Sequence, residues 1–307
     1  MTSALDWLLA HEEPAVRLLA RRDLRDDPVD PHEALDSPWV RTLLDDRPGH
    51  PYAKWGGAHW RLVSLVELGV PAGEPRALAA ADRVLDWLAK PERLRRMKPA
   101  ADGLVRRCAS QEGNALAVCC RLGLADDPRV RVLAESLVRW QWPDGGWNCD
   151  PRASGRRSSF HESLPPMWGL HEYAGATGST GAAEAARRTA ELFLSHEVYK
   201  SLRTGEPMSP TVTVLHYPAY WHYDVLQALV MLARLGLAKD PRASDALDLI
   251  GRRRRPDGLW QPGGYWWKRP GSQGGNVEVV DWGRSAPHPM LTLNALRVLR
   301  AAGRPYS

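Results

Sequence analysis

Gln141-Trp142-Pro143-Asp144-Gly145-Gly146-Trp147 closes one amphipathic run, and Arg254-Arg255-Pro256-Asp257-Gly258-Leu259-Trp260 closes another in the same way. Each is a Pro-Asp-Gly turn with a tryptophan two residues beyond the first glycine. Ala186 to Leu194 gives a comparable run that ends at Ser195 and His196, and Arg83 to Ala89 gives one that ends before Lys90 and Pro91. The period is roughly 50–60 residues, the length of two helices and two connections, so the chain reads as repeated helical hairpins.

After each outer run comes a second, more apolar one. These are expected at Gly57 to Leu68, Gln111 to Leu122, about Pro165 to Tyr173, Trp221 to Leu235 and Pro289 to Ala302. Gly69, Gly123, Gly236 and Gly303 follow them as helix terminators. Pro165 and Pro166 are expected to break the third helix or restart it. Ala4 to Ala10 with Pro14 to Leu24 forms a further pair, and Pro31 to Leu44 supplies the next outer helix. A helix apolar nearly all round belongs inside, and one with a charged face, such as Ala182 to Leu194, belongs outside. No strand-length alternation competes. The expectation is all-α: a single α/α toroid domain over 1–307, with about six hairpins in inner and outer layers.

In such a ring every inner helix starts at the same end, so the segments leading into them share one mouth. Those segments carry Lys54, Trp55, His59 and Trp60; Cys108, Gln111, Glu112 and Asn114; Cys149, Asp150, His161 and Glu162; His216, Tyr220, Trp221, His222 and Asp224; and Asp281, Trp282 and His288. Histidine titrates near neutrality, which suits acid–base work. His59, His161, His222 and Asp224 are therefore the candidate catalytic residues, with the partner of His222 expected from another loop. Trp55, Trp60, Asn114, Trp168, Tyr220, Trp221, Trp282 and His288 are the candidate substrate-binding residues. Cys108, Cys149 and His161 offer three N/S ligands with an open fourth position, a set that suits catalytic zinc. Two residues also have structural readings: Ser159 with Glu162 fits a capping box, and Asp224 fits an N-terminal acid. Trp147 and Trp260 read as packing between hairpins.

Composition narrows the classes. Of 307 residues, 14 are Trp and only 2 are Phe, which favours an aromatic-rich interior or cavity over an ordinary core. Lys and Arg total 41 against 36 Asp and Glu, a mild excess without a nucleic-acid stripe; Arg252 to Arg255 reads as the solvated end of a helix. Four cysteines make no disulfide framework, and Cys119-Cys120 reads as core. No apolar run approaches the ~20 residues of a membrane span. The first residues lack the pattern of a signal peptide, so a cytoplasmic setting is expected.

QWPDGGW resembles the QW repeats of squalene and oxidosqualene cyclases, and RRRPDGLW looks like a degenerate copy with Arg for Gln. The resemblance places the chain with the terpenoid-cyclase and protein-prenyltransferase α/α toroids, a superfamily that also includes lanthipeptide cyclases. It implies an apolar, isoprenoid-like small-molecule substrate and cyclase, isomerase or lyase chemistry. The acidic DxDD motif of class II cyclases is absent. Prenyltransferases and lanthipeptide cyclases hold zinc near inner-helix starts, so a zinc-assisted transferase or lyase is the alternative expectation. A non-catalytic ligand- or peptide-binding scaffold is the third.

Overall fold

The computed structural model describes residues 3–45, 49–95, 99–100, 102–152, 154–284 and 287–306. Among them the fold is helical throughout, with isolated β-bridges and no strand. In chain order the α-helices are α1 (Ala4–Leu9), α2 (Pro14–Leu24), α3 (Pro38–Leu44), α4 (Ala58–Glu67), α5 (Pro75–Leu88), α6 (Pro91–Arg95), α7 (Ala109–Arg121), α8 (Pro128–Arg139), α9 (Phe160–Thr177), α10 (Thr180–Ser195), α11 (Val225–Arg234), α12 (Ser244–Arg252) and α13 (Pro289–Ala301). No helix among the described residues is long and apolar enough to cross a membrane.

Local chemistry sets these boundaries. A capping carboxylate followed by proline opens α2, α5 and α8: Glu13-Pro14, Glu74-Pro75 and Asp127-Pro128. The acid-Pro-Arg triplet at Glu74, Asp127 and Asp240 is a second repeat, and each arginine bonds back to its own acid. The expected Pro31 to Leu44 helix is divided, because Ser37-Pro38 caps a new helix after a 3-10 turn at Pro31–Asp36. Gly69, Gly123, Gly236 and Gly303 all take positive φ, as terminators require.

The tryptophan turns are structural, as their spacing suggests. Trp147 Nε1 donates to Leu137 O, ten residues back, and Trp260 Nε1 donates to Ile250 O, also ten back. Gln141 Nε2 donates to Gly145 O, and Arg254 Nε donates to Gly258 O. Each Trp backbone N–H then bonds a hydroxyl on a later apolar helix, Ser163 of α9 for Trp147 and Thr292 of α13 for Trp260. Arginine thus replaces glutamine in the same hydrogen-bonding role.

The apolar helices pack in the order α4, α7, α9, α11, α13, α2. The remaining helices bridge neighbouring members: α5 touches α4 and α7, α8 touches α7 and α9, α12 touches α11 and α13, and α1 touches α13 and α2. C-terminal ends share one side of the molecule. There Arg234 of α11 meets Glu67 of α4 at 2.8 Å, Arg297 of α13 meets Asp23 of α2, and Arg121 of α7 lies 3.8 Å from Glu172 of α9. Cations at these ends offset the negative helix termini gathered there.

The tightest contact joins α7 to α9. A Cβ on Gly113 would sit 2.6 Å from Pro166 Cα, and one on Gly169 would overlap the Gly113 carbonyl. Pro165 and Pro166 do not break α9, which runs unbroken from Phe160 to Thr177. The paired prolines instead lie against the bare backbone of Gly113, where no side chain competes for space. Gly113→Ala is expected to cost about 3 kcal/mol through forced separation of α7 and α9. Gly175→Ala, on the exposed end of α9 with nothing within 4 Å, is expected to stabilise by about 0.5 kcal/mol. Urea unfolding of both variants checks this, and equal stabilities would refute the close-packing account.

Candidate functional site

Cys108 caps α7, and the α7–α9 contact lays its first turn against the first turn of α9. Arg107 N–H donates to Asn148 O at 3.0 Å, which draws the segment after the Trp147 turn alongside. Cys149 therefore arrives beside Cys108. Glu162, buried in the first turn of α9, completes the group: its Oε2 accepts from Ser110 N–H at 3.0 Å and its Oε1 from Cys149 Sγ at 3.5 Å. One ligand atom from each of Cys108, Cys149 and Glu162 lies within 4.8 Å of the other two.

This cluster borders a cavity of about 410 Å³ lined by Trp87, Lys90, Arg93, Arg106, Arg107 and Gln111 among others. Arg107 is buried and pairs with Glu112, while Arg93 lies 4.0 Å from the same carboxylate and 4.8 Å from the Trp87 ring centroid. Arg106 is held by Asp102. Hydrogen bonding with Cys149 favours the Cys108 thiolate and lowers its pKa, whereas the same bond, burial and Glu162 push Cys149 up. Burial pushes the Glu162 carboxyl up. Burial and the neighbouring Arg93 lower Arg107 to about 9.

His161 points the other way. Its Nδ1 accepts from Tyr223 N–H at 2.8 Å, and its ring meets Trp221 edge-on at 5.4 Å. The three residues expected together from the sequence are therefore not brought together: Cys108 and Cys149 stand side by side with Glu162, and His161 faces Tyr223 instead. Consecutive helical residues diverge by about 100°, so only one of the two can face the cysteines. The capping-box reading of Glu162 also fails, since Ser159 makes no side-chain cap and the carboxylate goes to Ser110.

The aromatic residues gather in two groups of ring contacts, one around Trp55 and Tyr220 and one around Tyr217 and Trp282. Trp55 stacks on Tyr220 at 4.5 Å and meets Trp60, which meets His59. Tyr217 contacts both Trp282 and His288, and Asn114 Nδ2 donates to Tyr220 O at 3.4 Å. His222 lies between Trp221 and Trp266, with ring centroids at 4.3 and 4.5 Å. The candidate lining residues thus pack within these two groups, and Trp168 joins neither, its Nε1 donating to Glu172. The cavity bordered by Asn114, Trp168, Tyr220, Trp221 and His222 holds only about 40 Å³.

Trp221 and His222 precede the helix they were expected to open, because α11 starts at Val225. Asp224 caps it, accepting from Gln227 N–H at 2.9 Å, and pairs with His216 at 2.6 Å. The buried His–Asp pair is thus His216–Asp224. His222 has no carboxylate partner, and its Nδ1 has no hydrogen-bond partner among the described residues. The sequence reading passed over Glu278, which accepts from Tyr220 OH and is raised to about 7 by burial. It sits in the irregular 253–284 stretch, where no periodicity marks it. Arg93 was also missed; its nearness to Trp87 was the signal. No family model and no curated protein matches this chain.

Burial lowers His59, His222 and His288 to about 3, so all three are neutral in the folded chain at neutral pH. An unfolded chain protonates its histidines below about 6.5, so stability from this source is complete above that pH and drains as pH falls toward 3. Glu278 acts oppositely: it keeps its proton in the fold below about 7 but in the unfolded chain only below 4.5, adding stability as pH falls through that window. His288→Asn keeps an acceptor for Leu291 N–H and removes one titrating ring. Between about pH 4 and 6 its stability is expected to fall less steeply than that of the wild type, by about 1.4 kcal/mol per pH unit. Urea midpoints across that range check it; an unchanged slope would show that His288 is protonated in the fold.

Proposed function

We propose that this chain is a six-hairpin α/α toroid of the terpenoid-cyclase and prenyltransferase kind, working as a zinc-assisted transferase or lyase. The packing order of the six apolar helices and their shared C-terminal end support the ring. One observation carries the function: two thiols and a carboxylate whose ligand atoms lie within 4.8 Å of one another beside an open cavity.

The donor set fits zinc on two grounds. Cys108 and Glu162 both oppose ionisation of Cys149, so the three groups do not readily carry charge together, and a dication relieves that conflict. Two thiolates and a carboxylate exceed a dication by one negative charge, while Arg93 and Arg107 exceed Glu112 by one positive charge. The guanidiniums therefore balance the loaded site. Cys108, Cys149 and Glu162 would hold the ion, which when bound supplies Lewis acidity and a fourth position for water or a substrate thiol. Ser110 N–H orients Glu162, Gln111 orients Arg93 at 2.5 Å, and Trp87 gives the cavity an apolar wall.

Acid–base chemistry on an apolar substrate at the centre of the ring has less support. Small-molecule pockets use about 300 Å³ or more, and the aromatic packing there leaves about 40 Å³. His216–Asp224 would be its dyad.

Purified, reduced protein is expected to bind one zinc ion per chain. Cys149→Ser and Glu162→Gln should each weaken binding at least about tenfold, while His161→Gln should leave it unchanged. Metal analysis with a chelator competition measures this. Full zinc retention in a Cys108→Ser/Cys149→Ser double variant would contradict the proposal. So would X-ray absorption showing four protein ligands, since a closed site has no position for substrate.

A further inference from the structure

We propose that Cys108 and Cys149 are also an oxidation site, joined by a peroxide-class oxidant into an intramolecular disulfide when no metal holds them. Bond formation rests on geometry alone. The two sulfurs belong to a group no wider than 4.8 Å, and both residues are solvent-accessible. Both lie where the backbone can adjust. Cys108 is the cap residue of α7, and Cys149 lies in the irregular segment between the Trp147 turn and α9. The Arg107 N–H to Asn148 O bond at 3.0 Å, one residue before each cysteine, holds the two backbones side by side, and the sulfurs close to a bonding distance of about 2 Å.

The other two cysteines provide an internal contrast. Cys119 is buried and Cys120 half-buried, and both are consecutive residues within α7. Burial pushes the Cys120 thiol up to about 12 and Cys119 higher still. Accessible, paired sulfurs react; buried, divergent ones do not.

The chemistry balances with hydrogen peroxide. One sulfur attacks a peroxide oxygen, the O–O bond breaks, and a sulfenic acid and one water result. The second sulfur then attacks the first, forming S–S and breaking S–O, and a second water leaves. Two thiols are oxidised by two electrons and the peroxide is reduced to two waters.

The consequence for the site rests on the zinc reading. A disulfide removes both thiolate ligands, so metal loading and oxidation exclude each other, and the site is switched off reversibly by oxidation. Glu162 and the arginines stay in place, and reduction restores the ligand set.

The test uses the full chain, reduced and metal-free, treated with a small excess of hydrogen peroxide. Intact mass is expected to fall by about 2 Da, a peptide cross-link should join Cys108 to Cys149, and two thiols rather than four should remain alkylatable in denaturant. Dithiothreitol should restore all four. Cys149→Ser should give no mass loss and leave Cys108 as a sulfenic acid that a dimedone probe traps. Four free thiols after treatment, oxygen adducts without a cross-link, or links only between chains would overturn the disulfide. Zinc-loaded protein should oxidise at least about tenfold more slowly. Equal rates with bound zinc would overturn the switch, whereas a disulfide in a chain that takes up no zinc would overturn the metal reading and leave the oxidation site standing.

Discussion

Gly113 and Gly169 let the backbones of α7 and α9 meet with almost no side chain between them, and the candidate site exists because of that meeting. Along the shared seam Ser110 faces Glu162, Gly113 faces Pro165 and Pro166, and the Gly113 carbonyl faces Gly169. The pairs advance together in both helices, so the helices run parallel and their starts lie at one end. A methyl group at Gly113 would separate the very turns that bring Cys108 and Glu162 into reach. The third member depends on the tryptophan turn: Trp147, fixed by Leu137 O and Ser163, carries Asn148 to Arg107 and so carries Cys149 to Cys108.

Charge divides the molecule between two ends. At the C-termini of the apolar helices, Arg234, Arg297 and Arg121 offset carboxylates and helix dipoles together, which accounts for the cations gathered there. At the other end two guanidiniums share the single Glu112 carboxylate beside the thiols. That imbalance next to open space distinguishes the thiol cluster from the rest of the polar interior. The tryptophan excess is spent mainly on packing. Trp55, Trp60, Trp147, Trp260 and Trp282 are among the largest fully buried side chains, and they fill the interior that two phenylalanines leave unfilled.

Much of this was legible in the residues. The two Pro-Asp-Gly turns announced equivalent structures because the hydrogen bonds they make depend on spacing, and both spacings were intact even with Arg254 in place of Gln141. Apolar runs ending at glycine located the apolar helices to within a few residues. Cys108 and Cys149 were paired from their places before successive apolar helices. What the residues did not disclose was phase. His161 and Glu162 are neighbours in sequence, and which of them faces the cysteines depends on where α9 starts, eleven residues after Cys149. Start position also misled at α11: the apolar pattern extends back to Trp221, but Asp224 captures Gln227 N–H and ends the helix there. His216 then pairs with Asp224 through a loop geometry that has no period to read. Glu278 and Trp266 arrive from a connection folded by bonds such as Glu278 N–H to Lys268 O, which have no period to read.

The central claim is that α7, α9 and the Trp147 turn together build a metal centre from Cys108, Cys149 and Glu162. Anomalous diffraction at the zinc edge, from crystals of reduced protein grown with one equivalent of zinc, tests it most directly. The account predicts a single strong peak about 2.3 Å from both sulfurs and about 2 Å from a Glu162 oxygen, with a non-protein fourth ligand facing the cavity. A peak on His161 or elsewhere, or no peak while the two thiols remain reduced, would contradict it.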